Sequence, residues 1–188
     1  VVIFQSDFPL EMKWDPEYTV DMVQRAADFS RMADRDGEAD LFLWPEALIM
    51  TDTTDPQIFP VLERLTRETE TPLFTGTTRT DAGSGREYNS AVFVDADGAM
   101  GMHYDKIHLA PFGEYVPLSR YLPFIGKIIP AIGDMAAGDR PVLFDVNERR
   151  LGPLICFEVL FGAMAEKLRS EGADVIAQLL SQIGRAHV

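Results

Sequence analysis

Three chemically useful side chains, Glu46, Lys106 and Cys156, each lie just beyond an apolar stretch that predicts a β-strand. Sixty residues separate Glu46 from Lys106, and fifty separate Lys106 from Cys156. A carboxylate can take a proton, an ammonium can stabilise a negative oxygen, and a thiol can attack a carbonyl carbon. These three residue types could together perform nucleophilic catalysis, with Cys156 as the candidate nucleophile.

Each of these residues also has a simpler interpretation when it is taken alone. Cys156 stands in LGPLICFEVLF and can be a small buried apolar side chain. Glu46 follows Pro45 and can be the first glutamate of a helix, where the helix dipole favours it. Lys106 can be a solvated charge at a strand end. Single residues leave both interpretations open.

Longer motifs surround these residues: WPEA around Glu46, YDKIHLAPFGEYVPL around Lys106 and Glu114, and ICFE around Cys156. Together they resemble the Glu-Lys-Cys triad of the nitrilase, or carbon–nitrogen hydrolase, superfamily. Within that superfamily the motifs are similar to those of the apolipoprotein N-acyltransferase branch, for which the run PFGEYVPL is the most specific feature. The resemblance covers residues 1–181.

This resemblance implies an α/β fold, a four-layer αββα sandwich of the nitrilase-like type, truncated here at both ends. It implies that Glu46 is the general base, that Lys106 stabilises and orients the oxyanion, and that Cys156 accepts the acyl group. Glu114 matches an additional essential glutamate of the family. The resemblance therefore implies four catalytic residues.

Four further residues fall where the family lines its site, and the resemblance implies that they bind substrate: Trp14, Asn89, Phe157 and Glu158. Phe157 replaces a frequent tyrosine, and we expect the missing hydroxyl to be tolerated if the ring packs. The sequence has no HExxH or CxxC motif, so we expect neither a metal nor another cofactor.

The implied reaction has two steps and two lipid-bearing partners. Cys156 attacks the ester of a phospholipid donor to give a thioester, and the N-terminal amine of a diacylglyceryl-cysteine apolipoprotein then accepts the acyl chain. The family places this chemistry on the periplasmic or outer face of the bacterial inner membrane. Residues 107–140 are rich in Pro, Gly and apolar side chains, and we expect this loop to dip into lipid or cover an acyl chain, with a packed lid as the alternative.

Two other functions remain open at this point. A soluble nitrilase-type amidase would use water in place of the lipoprotein amine to resolve the acyl-enzyme. A noncatalytic binding domain would keep the fold without the reaction. The PFGEYVPL run and the apolar loop favour the acyltransferase over the amidase.

Composition and charge bear on the number of domains and on the classes of partner. The chain has 188 residues, 46% of them hydrophobic and 25% charged, which predicts one globular domain. Its formal net charge of −13 argues against a nucleic-acid partner, because surfaces that bind nucleic acid contact the phosphates with basic residues. No apolar run approaches the roughly 18 to 20 residues that a bilayer span requires.

The order of predicted elements alternates between strands and helices. Strands are predicted at 1–5, 41–44, 72–77, 88–94, 99–104, 142–146, 151–155 and 175–180, and helices at 16–33, 57–68 and 163–170. Asp15 and Pro16 mark the start of the first helix, and the Asp97-Gly98 step predicts a hairpin. This order indicates a mixed sheet covered by helices.

The two ends of the sequence carry their own hypotheses. Because the chain opens directly on a strand, we expect the natural N-terminus to lie upstream of Val1. The last seven residues, QIGRAHV, turn abruptly polar and basic, and a back-translation matches a sequencing adapter. We therefore interpret residues 1–181 as a partial catalytic domain and 182–188 as a non-native read-through tail. The family's transmembrane helices are also missing, so we expect little activity from this fragment alone.

Overall fold

The computed structural model describes residues 1–5, 8, 12, 15–115 and 135–180. The helices are Pro16–Ala33 (α1), Phe59–Thr69 (α2) and Gly162–Ser170 (α3). The strands are Val2–Ile3 (β1), Phe42–Leu43 (β2), Leu73–Thr80 (β3), Glu87–Val94 (β4), Met100–Asp105 (β5), Phe144–Val146 (β6), Arg149–Ile155 (β7) and Val175–Leu179 (β8). A 3₁₀ turn, Cys156–Leu160, joins β7 to α3. Each predicted strand and helix is present; α1 has its predicted bounds, and the other elements differ from theirs by a few residues.

Three features named from the sequence lie outside the described residues: Trp14, positions 116–134 of the expected loop, and the tail at 182–188. Within the described part of the chain, no helix is long and apolar enough to cross a membrane.

The strands form two sheets. One has the order β1-β2-β3-β4-β5, with parallel pairing from β1 to β3 and antiparallel pairing from β3 to β5. The other has the order β6-β7-β8, in which β7 is antiparallel to β6 and parallel to β8. Both sheets are mixed, as the alternation of elements predicts.

The buried side chains show four layers. Neighbouring strand residues point to opposite faces of a sheet, so Leu73 packs beneath α1 and α2 while Phe74 packs between the two sheets. The rings of Phe74 and Phe144, one from each sheet, have centroids 5.0 Å apart. On the outer face of the three-stranded sheet, Leu154 packs against α3. The expected αββα sandwich is therefore confirmed.

Helix α1 is fixed at its start and tied to the sheet in its last turn. The Asp15 side chain caps it by accepting from the backbone N–H of Glu17 at 3.0 Å, and Pro16 occupies the first turn, as predicted. The buried Trp44 indole donates to Ser30 Oγ at 3.0 Å. This bond anchors the chain two residues before Glu46.

The predicted hairpin between β4 and β5 places Lys106. Gly98 adopts a φ of +84°, and its N–H donates to the Asp95 carbonyl at 2.9 Å, which closes the turn. The pairing then runs to Ser90 opposite Asp105, and the Lys106 N–H donates to the Asn89 carbonyl at 2.9 Å. Lys106 therefore leaves the strand beside Asn89.

Candidate active site

Glu46, Lys106 and Cys156 follow the ends of β2, β5 and β7 and meet between the two sheets. Lys106 Nζ lies 3.7 Å from Glu46 Oε1. The thiol of Cys156 donates to the Glu46 carboxylate, which is 9% exposed. The Glu46 carboxylate therefore lies within reach of both the Cys156 thiol and the Lys106 ammonium.

Glu46 stands in a turn, so the interpretation of this residue as the start of a helix is wrong. Ala47, the next residue, has a φ of +54°, a conformation that costs a residue with a side chain some free energy. The backbone changes direction at this turn, so the side chains of the turn do not continue the alternation of the strand. The turn therefore directs the carboxylate of Glu46 toward the site.

Lys106 is 1% exposed, so the interpretation of this residue as a solvated charge is also wrong. A buried ammonium is tolerated only when carboxylates and hydrogen bonds replace its water. Its nitrogen donates to Glu114 at 2.9 Å, a shorter contact than the one to Glu46. Glu114 is therefore the hydrogen-bond partner of Lys106, and Glu46 lies close enough for an electrostatic interaction with the same ammonium.

Glu114 is saturated by donors from the protein. One of its oxygens accepts from Lys106 and from Asn89, and the other accepts from the backbone N–H of Ala110 at 2.7 Å. Glu114 is therefore an anchor for the loop after β5.

Asn89 bridges the two carboxylates. Its Nδ2 donates to Glu46 at 2.9 Å and to Glu114 at 2.5 Å. These two bonds use both hydrogens of the amide group, so only Oδ1 is left to meet another molecule. Asn89 fixes the separation of the two acids, a role the sequence did not indicate.

Cys156 sits where β7 turns into the 3₁₀ turn, with a φ of +48°. Burial raises the pKa of its thiol, and the Glu46 carboxylate raises that pKa further by its charge and by accepting the hydrogen bond. The Lys106 ammonium and the Phe157 N–H act in the opposite direction. The net shift is upward, so the resting residue is a thiol that needs a base.

Glu158 lies two residues further on and is fully buried. Its Oε1 accepts from the Tyr104 hydroxyl at 2.7 Å and from the N–H groups of Ile107 and His108, and its Oε2 accepts from Ile155 N at 2.9 Å. A carboxylate occupied in this way does not face a substrate surface. The structure places it as a brace between the segment before Cys156 and the segment after Lys106.

Phe157, the residue after Cys156, borders a mainly apolar cavity of about 510 Å³. Its ring meets the edge of Phe161, and Phe161 in turn stacks on His108 with centroids 4.3 Å apart. The wall of the cavity consists of Ile107, His108, Leu109, Pro111, Tyr115, Met135, Ala137, Phe157 and Phe161. An elongated apolar group fits such a wall better than a charged one does.

The described residues contain no group of three or more His, Cys, Asp or Glu side chains that could hold a metal ion. The arrangement instead suits acyl chemistry: Glu46 can take the thiol proton, Cys156 can attack a carbonyl, and Lys106 can stabilise the resulting oxyanion.

Tyr104 is a site-supporting residue that the sequence analysis missed. Its hydroxyl is buried against Glu158, and this burial raises its pKa. In the sequence it is only the last residue of the strand predicted at 99–104. No local pattern shows which distant carboxylate a buried hydroxyl will meet.

The chain matches the family model of carbon–nitrogen hydrolases over residues 8–188. Among curated proteins it is 32% identical over 182 residues to an apolipoprotein N-acyltransferase of Geobacter metallireducens, covering 95% of this chain and 35% of that protein. It is 29% identical over 190 residues to the apolipoprotein N-acyltransferase of Haemophilus influenzae, with the same coverage. The chain thus spans about a third of the length of these relatives.

Solved structures show the same fold at lower identity. An amidase from Nesterenkonia sp. AN1 in complex with acrylamide has a TM-score of 0.67 and 17% identity, over 98% of this chain and 65% of that one. A glutamine-dependent NAD⁺ synthetase from Acinetobacter baumannii has a TM-score of 0.65 and 18% identity, over 87% of this chain and 30% of that one.

Proposed function

The chain belongs to the carbon–nitrogen hydrolase family, and from this premise we propose that it is the catalytic domain of an apolipoprotein N-acyltransferase. Such an enzyme would move a fatty acyl chain from a phospholipid to the N-terminal amine of a diacylglyceryl-cysteine lipoprotein. The observation that carries the proposal is a mainly apolar cavity of about 510 Å³ whose wall includes Ile107 and Phe157, the residues that directly follow Lys106 and Cys156. The similarity to acyltransferases along 95% of the chain supports it.

In the first step, Glu46 takes the proton of the Cys156 thiol while the sulfur attacks the ester carbonyl of the phospholipid. Lys106 and the backbone N–H of Phe157 stabilise the negative oxygen of the tetrahedral intermediate. The ester C–O bond then breaks, and the departing lysophospholipid oxygen takes the proton back from Glu46. The acyl chain remains on Cys156 as a thioester.

In the second step, the amine of the lipoprotein attacks the thioester carbonyl. Glu46 takes a proton from the attacking nitrogen, the C–S bond breaks, and the proton passes to the sulfur of Cys156. An amide is formed and the thiol is restored. Because the two substrates use one nucleophile in turn, the kinetics should be ping-pong.

The upward shift of the Cys156 pKa fits this order of events. A thiol that stays protonated at rest is protected from adventitious oxidants and alkylating agents, since the thiolate is the reactive form. The proton leaves when substrate is in place and Lys106 can balance the charge that develops.

The cavity beside Phe157 would hold part of the donated chain. The phospholipid and the apolipoprotein both reside in a membrane, so the complete protein would work at the bacterial inner membrane. This location and both partners belong to the proposal.

The test uses the complete gene product that contains this chain, expressed in membranes with a defined phospholipid. Intact-protein mass spectrometry should show a fatty-acyl mass gain that disappears in Cys156→Ala and on addition of a lipopeptide with a free N-terminal amine. The lipopeptide should gain the same mass.

Two results would overturn the proposal. One is the absence of any acyl adduct on a wild-type protein whose thiol still reacts with iodoacetamide. The other is release of free fatty acid without transfer to the lipopeptide, which would indicate a hydrolase that uses water.

A further inference from the structure

The pairing between β2 and β3 is interrupted at the position of Glu46. Leu43 pairs with Phe74, and the next parallel bridge joins Ile49 to Thr77. Between these two pairs the segment after β2 advances by six residues, whereas β3 advances by only three. The segment after β2 therefore contains three extra residues, which form a bulge. Glu46 lies in this bulge, and both ends of the bulge are fixed to β3.

Gly76 lies directly beneath the bulge. A Cβ atom at this position would stand 2.7 Å from the Cα of Glu46 and 3.2 Å from the carbonyl oxygen of Pro45. Ordinary carbon contacts are about 3.5 to 4.0 Å, so a side chain would have to push the backbone of Glu46 away by roughly 1 Å. The missing side chain is therefore what lets the bulge rest on β3.

Thr77 closes the far end of the bulge. Its Oγ1 donates to the carbonyl of Thr51 at 2.7 Å, and the side chain is buried. On the near side, Trp44 N–H donates to the Phe74 carbonyl at 2.9 Å. Since β3 is paired with β2 on one side and β4 on the other, the strand is the rigid partner and the bulge is the part that can move.

We propose that Gly76 and Thr77 are positioning residues for Glu46: they hold its backbone where the carboxylate reaches the Cys156 thiol. The inference rests on the proposed role of Glu46 as base. Neither residue touches substrate. A displacement of about 1 Å in a reacting group can cost on the order of a hundredfold in rate, so the contact sets how well Glu46 works.

A displacement of Glu46 should change the thiol pKa in a direction that alkylation can measure. Cys156 is the single cysteine of this 188-residue sequence, so the alkylation reports on this thiol. Glu46 raises the thiol pKa, so moving Glu46 away should lower it. In Gly76→Ala, the pH profile of iodoacetamide alkylation should move to lower pH. Acyl-enzyme formation by the complete gene product should fall at least about tenfold as a result of the same substitution.

A double-mutant cycle with Glu46→Gln separates positioning from loosening of the fold. Glu46→Gln should shift the alkylation profile in the same direction, and adding Gly76→Ala to it should give no further shift. A variant that merely loosens the protein would add its own shift in both backgrounds. Gly83→Ala is the matched control, since its Cβ would meet only a side-chain oxygen at 3.6 Å.

Thr77 provides a second route if Gly76→Ala yields no folded protein. Thr77→Val removes the hydrogen bond to Thr51 at nearly constant volume and should shift the profile in the same direction, whereas Thr77→Ser should restore it. An unchanged profile in Gly76→Ala, or in Thr77→Val when only that variant folds, overturns the inference. So does a shift that persists in the Glu46→Gln background.

The alkylation assay needs no acyl donor, so it tests the positioning role independently of the proposed acyltransferase function. If the wild type forms no acyl-enzyme while the cycle behaves as described, the acyltransferase proposal falls and the positioning role stands. If acyl transfer occurs and the cycle shows full additivity, only the positioning role falls.

Discussion

The ammonium of Lys106 and the carboxylate of Glu114 form a buried ion pair at 2.9 Å, with side chains 1% and 12% exposed. Glu114 belongs to the loop that begins at Lys106, so the chain turns back to neutralise its own lysine eight residues later. The backbone carbonyl of Glu114 also accepts from the Met135 N–H at 3.0 Å. Glu114 thus connects Lys106 with a residue that lies 21 positions further along the chain than Glu114 itself.

Replacing Glu114 by Gln should destabilise the protein strongly. The change leaves the Lys106 charge buried with only Glu46 as a partner, and removal of one member of a buried pair costs about 3 to 5 kcal/mol. Urea unfolding should show this loss, and Glu166→Gln at an exposed position of α3 should leave the midpoint nearly unchanged. A loss below about 1 kcal/mol would mean that water reaches Lys106 and replaces the pair.

Replacing Asn89 by Asp should raise the pKa of the Cys156 thiol. The substitution removes both donors to Glu46 and Glu114 and adds a third negative charge nearby, and like charges disfavour ionisation of the thiol. Alkylation by iodoacetamide should therefore need a higher pH than in the wild type. This shift is opposite in sign to the one expected for Glu46→Gln.

Asn147→Asp is the matched control for this measurement. The Asn147 amide also donates to a carboxylate, that of Asp40 at 2.8 Å, but the residue is exposed and belongs to a distant turn. Its alkylation profile should coincide with that of the wild type. A profile for Asn89→Asp at or below the wild-type pH would contradict the bridging role of Asn89.

Replacing Tyr104 by Phe should change how stability depends on pH. The folded-state pKa of Tyr104 is raised above the ordinary tyrosine value of about 10, so its contribution is fully present below pH 10 and is lost as the pH rises further. Tyr104→Phe should lower stability by about 1 to 2 kcal/mol at pH 7 and flatten the decline above pH 10.

Denaturant titrations from pH 7 to 11 give this measurement, and Tyr18→Phe provides an exposed comparison that should keep the wild-type slope. An equally steep decline in Tyr104→Phe would assign the alkaline loss of stability to other groups.

The sequence predicted the elements well because their signals are local. Alternation of apolar residues, the Asp15 cap and the Asp97-Gly98 turn each act over a few residues, and the strands and helices appeared where those patterns lie. The four layers came from the family resemblance, since periodicity does not count layers.

The site was predictable only as a set of residues. The motifs named Glu46, Lys106 and Cys156, and the structure brings them together, but it gives Glu158 four donors within the protein where substrate contact was expected. The partners of a buried carboxylate come from distant parts of the chain, which no local pattern specifies. Gly76 did carry a signal, because a glycine inside a predicted strand often marks a close backbone approach.

The two sheets contribute unequally to the site, and this has a consequence for synthesis. The five-stranded sheet ends at Asp105, so the base and the ammonium leave the ribosome before the strand that carries Cys156. The carboxylate that accepts the thiol hydrogen bond is already on the nascent chain when the thiol appears. Of the three site residues, Cys156 is thus synthesised last, after the carboxylate that accepts the hydrogen bond from its thiol.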